Sequence, residues 1–165
     1  MNSSLEDLRY SSLLRPYLED GPDFNISHSG EYIICGISPH ASIGVDIEEI
    51  KPIEINDFTN EFSSTELKLM SASENPFAAF YRLWTQKEAF LKALGKGLFV
   101  ELNKVEIHAD QVEWEGKTWH LQEIHIADGY SATVCADIPG CGIEVQELKF
   151  ENLYDQIPLD FSINH

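Results

Sequence analysis

Basic residues are scarce: 11 Lys and Arg stand against 28 Asp and Glu in 165 residues, a formal net charge of −17 at pH 7. A surface this acidic repels phosphate backbones and anionic lipid, and no cluster of Lys and Arg offers a local exception. Binding to nucleic acid or to a membrane surface is excluded on that ground. Cysteine is equally sparse. Cys35, Cys135 and Cys141 are odd in number and lack Cys-x-x-Cys spacing, which argues against a disulfide framework and against a zinc site. Cys35 and Cys135 lie in apolar runs and read as small core hydrophobes. Long hydrophobic runs are missing too. The longest uncharged stretch, Tyr32 to Val45, contains Gly, Pro, Ser and His and is too short to cross a bilayer. Met1 to Tyr10 are polar and charged and do not read as a secretory signal. The expectation is a soluble cytoplasmic protein without repeats or low-complexity tracts.

What is present suffices for a core. Hydrophobic residues make up 43% and aromatics 11% of the chain, so the bulk of it is not disordered. The length fits one domain, expected over residues 1–150, with 151–165 an acidic, turn-rich tail. Phe24 to Ser27, Tyr32 to Ser38 and Ile43 to Ile47 read as three short strands, rich in Ile, Val and aromatics and broken by Gly30 and Pro39. After Pro52 the period changes. Ile55 to Phe62 and Glu66 to Ala72 read as short helices, the second capped by Ser63 or Ser64. Asn75-Pro76 opens a longer helix to Leu94, closed by Gly95. Strand patterns return at Val105 to His108, Trp119 to Ile126, Tyr130 to Ala136 and Ile143 to Phe150. The fold class expected is α+β, an antiparallel sheet with a long helix packed on it.

Three groups of side chains stand out. On the long helix, at ~100° per residue, Trp84 shares a broad apolar face with Phe77, Phe80, Tyr81, Leu91 and Leu94, with Lys87 near its edge. Glu88 falls inside that face and Lys92 one turn beyond it. A carboxylate on a buried face needs a partner or a metal; an ordinary Glu88–Lys92 salt bridge at the core margin is the plainer alternative. In Gly44-Val45-Asp46-Ile47-Glu48, alternation puts Asp46 and Glu48 on one face. They form either a solvated edge or an all-oxygen site, which suits Mg²⁺ completed by phosphates and water. Ser27-His28-Ser29-Gly30 crowds donors beside a glycine, as a phosphate cradle would, although a turn histidine bonded to backbone is the commoner outcome. Ser27 and His28 do not make a nucleophile–base pair, because neighbouring strand residues face opposite ways.

Taken together, these segments resemble the Sfp-type 4′-phosphopantetheinyl transferases. The resemblance rests, in order, on Arg15-Pro16-Tyr17-Leu18, on Phe24-Asn25-Ile26-Ser27-His28-Ser29-Gly30, on Gly44 to Glu48, and on Leu83-Trp84-Thr85-Gln86-Lys87-Glu88 through Lys92 to Gly97. It implies a phosphopantetheinyl-transferase-like fold and transfer of the phosphopantetheine arm of coenzyme A to a serine of an apo acyl or peptidyl carrier protein. By the same resemblance, Asp46, Glu48 and Glu88 hold Mg²⁺, Glu88 takes the serine proton, and Lys92 neutralises the pyrophosphate. Arg15, Pro16, Ser27, His28 and Lys92 are the implied coenzyme A contacts, with Arg15 standing where the family usually has Lys. Trp84 matches a family aromatic and is expected to pack. The stretch Glu49 to Phe62 and the region after Gly97 resemble the carrier-facing surface. Sfp-type chains are built as two similar halves, and this sequence lacks most of the first. Self-association, as in the trimeric holo-acyl-carrier-protein synthases, or a partner subunit would supply the remainder. A half-enzyme that only binds coenzyme A or a carrier protein is the competing reading.

Overall fold

The computed structural model describes residues 7–13, 15–95 and 100–149. The last residues of the Lys92-to-Gly97 segment and the tail expected over 151–165 lie outside them. The principal sheet has four antiparallel strands in the order β5-β8-β7-β6: β5 (Ile43–Glu49), β8 (Tyr130–Ala136), β7 (Lys117–Glu123) and β6 (Gln111–Trp114). Two antiparallel ribbons precede it, β1 (Leu8–Tyr10) with β2 (Pro16–Leu18), and β3 (Asp23–Ser29) with β4 (Tyr32–Ser38). Between β5 and β6 run a 3-10 turn (Ile55–Glu61), helix α1 (Ser64–Ala72), helix α2 (Pro76–Leu94) and a second 3-10 turn (Leu102–Lys104).

Helix α2 begins and ends where its sequence says. Asn75 Oδ1 accepts from Ala78 N at 3.1 Å, Pro76 opens the first turn, and Gly95 closes it at φ 69° while donating to Leu91 O and Lys92 O. That left-handed conformation is the reason for glycine at this cap. α1 carries a reciprocal capping box: Glu66 N donates to Ser63 Oγ and Ser63 N to Glu66 Oε2.

α2 lies across the sheet, and the main core fills the space between them with Phe90, Leu91, Trp119, Leu121 and Cys135. Gly44 sets how close the helix comes. A Cβ there would collide with the Ala89 carbonyl oxygen and the Ala93 nitrogen and sit 3.0 Å from Ala93 Cα. Backbone therefore meets backbone at the start of β5, and the side chains of Asp46 and Glu48 are delivered beneath the same helix. A second core joins the first 3-10 turn to the N-terminal half of α2. In it Phe58 and Phe62 pack around Phe80, which stacks on Trp84 at 5.7 Å.

Several expectations change. Val105 to His108 form no ladder beyond one bridge from His108 to Gln111, and Ile143 to Lys149 form no strand. Val105 is instead buried beneath α2 and Ile143 packs on Ile43, Val45 and Val134; both runs were apolar for packing rather than for pairing. β5 pairs with β8. Cys35, expected in the core, is exposed. It sits on the outward face of the β3–β4 ribbon with Ile26, Ile33 and Ile37, because period 2 turns every other residue of β4 away from β5. Cys135 is buried as expected, and desolvation raises its thiol pKa.

Candidate functional site

The free edge of β5 needs acceptors for its outward N–H groups. Strand β3 supplies them with side chains rather than backbone. Asp23 Oδ2 accepts from Ile43 N at 2.8 Å, Asn25 Oδ1 from Val45 N at 2.8 Å, Ser27 Oγ from Ile47 N at 3.3 Å and Ser29 Oγ from Glu49 N at 3.0 Å. Alternation of polar residues in Asp23-Phe24-Asn25-Ile26-Ser27-His28-Ser29 is what makes this zipper possible.

The zipper carries the site. Ser27 Oγ donates to Asp46 Oδ1 at 2.9 Å, and Ser29 Oγ donates to Glu48 Oε2 at 2.8 Å. From α2, Lys92 Nζ reaches Asp46 Oδ1 at 2.6 Å and Ser27 Oγ at 3.0 Å. Asp46 is only 3% exposed, and its Oδ2 is buried with no hydrogen-bond partner among the described residues. Burial raises its pKa against the opposing pull of Lys92. Glu48 is raised by burial, opposed by the Ser29 hydroxyl and reinforced by the Asp46 charge. Glu88 is raised by burial and then by Asp46. Asp46 thus disfavours ionisation of both Glu48 and Glu88, and Glu48 adds to the effect on Glu88.

The expected groups therefore divide. Ser27, Asp46 and Lys92 are joined by hydrogen bonds, Glu48 lies two residues further along β5 bound to Ser29, and Glu88 lies within the electrostatic reach of Asp46 and Glu48. The plain Glu88–Lys92 pair gives way to Lys92–Asp46, because the lysine reaches across to β5 instead of back along its own helix. His28 lies on the opposite, exposed face of β3 from Ser27, as strand alternation requires. Arg15, expected at coenzyme A, is committed to structure. Its guanidinium pairs with Asp23 at 2.7 Å and donates to Ile43 O, Ala93 O and Lys92 O, tying the start of β2, at Pro16, to β5 and to the last turn of α2. Trp84 packs, as expected.

Two features escaped the sequence reading. The polar zipper follows the alternation of Asp23, Asn25, Ser27 and Ser29 in β3, a pattern that in sequence looks like no more than a run of donors. Lys87, placed at the edge of an apolar face, is 1% exposed and bound to Glu66; nothing in helical periodicity distinguishes a buried ion pair from a snorkelling lysine.

Among the described residues no group of three His, Cys, Asp or Glu side chains is drawn together as a ready-made metal cluster. The donor set fits a hard divalent cation nonetheless. Its donors are carboxylate oxygens, one of them buried without a partner. Mg²⁺ characteristically uses one or two protein carboxylates and leaves the rest of its shell to phosphate and water.

The edge of the sheet at β5 and the longest helix, α2, thus jointly supply the carboxylates and the lysine of the candidate site. Residues 42–135 match the family described as the 4′-phosphopantetheinyl transferase superfamily. The chain is 36% identical to the 4′-phosphopantetheinyl transferase Sfp of Bacillus subtilis (strain 168) over 160 residues, 89% of this chain and 71% of that protein. It is 32% identical to the 4′-phosphopantetheinyl transferase gsp of Aneurinibacillus migulanus, over 74% of this chain and 54% of that protein. The L-aminoadipate-semialdehyde dehydrogenase-phosphopantetheinyl transferase of Schizosaccharomyces pombe is also 32% identical, over 86% of this chain and 69% of its own length. Among solved structures, the holo-[acyl-carrier-protein] synthase of Thermotoga maritima superposes with a TM-score of 0.45 at 21% identity, over 58% of this chain and 61% of that one. The chain belongs to the 4′-phosphopantetheinyl transferase superfamily. No helix among the described residues is long and apolar enough to cross a membrane.

Proposed function

We propose that this protein transfers the 4′-phosphopantetheine arm of coenzyme A to a serine hydroxyl of an apo carrier protein, in the cytoplasm and with Mg²⁺. The reading is carried by the meeting of Asp46 and Glu48 from β5 with Glu88 and Lys92 from α2, where Asp46 Oδ2 is left without a partner. The serine oxygen forms a bond to the phosphorus that bears the pantetheine arm, and the bond to the adenosine 3′,5′-bisphosphate oxygen breaks, that oxygen keeping the electron pair. Glu88 receives the serine proton; burial and the Asp46 charge, which raise its pKa, make it a better acceptor near neutral pH. Lys92 offsets charge on the pyrophosphate and the departing bisphosphate. To do so it leaves Asp46, and Ser27 and Ser29 keep the two β5 carboxylates aimed. A divalent cation held by Asp46, Glu48 and Glu88 supplies charge neutralisation of the pyrophosphate oxygens when bound. His28 and Pro16 border the coenzyme A side in this reading, while Arg15 acts by holding β2 on α2.

The test is mass spectrometry of apo acyl and apo peptidyl carrier proteins after incubation with this chain, coenzyme A and Mg²⁺, with an EDTA control. A gain of one phosphopantetheine mass that EDTA prevents is expected. No gain from folded protein would favour a half-enzyme that needs a second subunit or a second copy.

A further inference from the structure

Asp46 Oδ2 is the anomaly of the site. It is buried with no hydrogen-bond partner among the described residues, while Oδ1 of the same carboxylate takes both Ser27 Oγ and Lys92 Nζ. Buried polar atoms are rarely left unpaired, and each exception calls for a reason. Donors are not lacking nearby. In the ladder between β5 and β8, Asp46 stands opposite Thr133 and Glu48 opposite Ser131. Residues paired in this way carry their side chains on the same face, with Cβ atoms about 5 Å apart. Asp46 therefore has a fully buried threonine hydroxyl as its cross-strand neighbour, yet Oδ2 receives no bond from it.

Helix α2 accounts for the missing bond. Thr85 Oγ1 lies 3.1 Å from Arg82 O, 3.2 Å from Ser131 Oγ and 3.2 Å from Thr133 Oγ1. A carbonyl oxygen only accepts, so the contact with Arg82 O uses the single proton of the Thr85 hydroxyl. The other two contacts are then hydrogen bonds only if Ser131 and Thr133 donate, and each of these hydroxyls has a single proton to give. Both β8 hydroxyl protons are thus turned to the helix and away from the β5 carboxylates. We propose that Thr85 is a positioning residue for the cation site: by accepting from Ser131 and Thr133 it keeps their protons off Glu48 and Asp46, and so holds Asp46 Oδ2 open for a divalent cation. The inference deepens the Mg²⁺ reading above and rests on it.

Isothermal titration of the chain with Mg²⁺ alone, without coenzyme A, tests this. Thr85→Val removes the acceptor and frees the Thr133 proton to turn onto Asp46 Oδ2, so Mg²⁺ should bind about tenfold more weakly, the usual scale for a residue behind the ligands. Adding Thr133→Val removes the intruding donor, and the double variant should regain wild-type affinity. Thr85→Ser keeps the acceptor and should bind as wild type does. If the hydroxyls served only to hold the fold, the second substitution would add to the damage of the first. A double variant that binds no better than Thr85→Val therefore overturns the proposal, and so does wild-type affinity in Thr85→Val itself. Thr85→Ala, well tolerated in a helix, carries the same predictions if the valine variant fails to fold. A wild-type chain that takes up no Mg²⁺ would refute the metal reading instead. The crystal structure of Thr85→Val would then still decide the part played by the hydroxyls: Thr133 Oγ1 bonded to Asp46 Oδ2 supports it, and an unmoved Thr133 overturns it.

Discussion

Glu88→Gln should make the protein more stable and inactive at once. Glu88 is half-buried, and the nearest cation, Lys92, spends its ammonium on Asp46 and Ser27. Burial, Asp46 and Glu48 all raise its pKa, so ionised Glu88 is a strained state of the folded chain. Glutamine keeps the shape and removes the charge. At neutral pH the gain is on the order of 1 kcal/mol, the usual yield of relieving a functional site, or a Tm rise of about 2–4 °C for a domain of this size. The sign with pH follows from the folded pKa lying above the unfolded one. The stabilisation is complete below the ordinary Glu value of 4.5 and is lost as pH rises through the raised folded value. Asp46 and Glu48 behave the same way, so the metal-free wild type should gain stability on going from pH 7.5 to 5.5, and Glu88→Gln should gain less. Lys92→Met should do the opposite. It strands buried Asp46 and removes charge-assisted bonds at 2.6 and 3.0 Å, costing about 2 kcal/mol. Urea denaturation at both pH values in EDTA reads these changes, and transfer assays should show Glu88→Gln down at least ~100-fold. A Glu88→Gln protein that is less stable than wild type, with an unchanged pH slope, would refute the reasoning by making Glu88 a favourable structural ion.

Gly44→Ala should cost about 1–3 kcal/mol by urea denaturation, because the new Cβ meets the backbone of α2 at Ala89 and Ala93. An unchanged midpoint would mean that the helix is not seated there. Asp46→Asn should raise the Mg²⁺ concentration needed for half-maximal transfer, and an unchanged metal dependence in a titration would remove Asp46 from the coordination shell. Cys35, exposed, should be alkylated by maleimide in the native state while buried Cys135 reacts only in denaturant; peptide mass spectrometry distinguishes them.

The parts of the fold legible in the sequence are those set by local rules. Caps fixed α2, with Asn75 and Pro76 at one end and Gly95 at the other, and the Ser63–Glu66 box fixed α1. Alternation placed Asp46 and Glu48 together on β5. What stayed hidden depended on partners distant in sequence. Gln111 to Trp114 become β6 because β7 lies beside them, and the apolar run at Val105 is used for packing rather than pairing. Lys92 looked like a helical partner of Glu88 until β5 brought Asp46 within 2.6 Å. Arg15 is a coenzyme A contact only by resemblance, and its guanidinium acceptors come from β3, β5 and α2, distant in sequence.

The same geometry explains how a chain of net charge −17 handles an anionic substrate. Long-range attraction is not available to it, since the excess negative charge is spread over the surface and screened within about 8 Å at physiological salt. Local charge decides instead. At the site one lysine is held against a buried carboxylate, and all three carboxylates, Asp46, Glu48 and Glu88, have raised pKa values. In the proposed mechanism a bound cation would offset these charges, and Mg²⁺ arriving with a pyrophosphate would release Lys92 from Asp46 to meet the phosphate oxygens. Metal and substrate should therefore bind with positive coupling. The thermal shift from coenzyme A and Mg²⁺ together should exceed the sum of the shifts from each alone, and additive shifts would show that Lys92 stays on Asp46 when substrate binds.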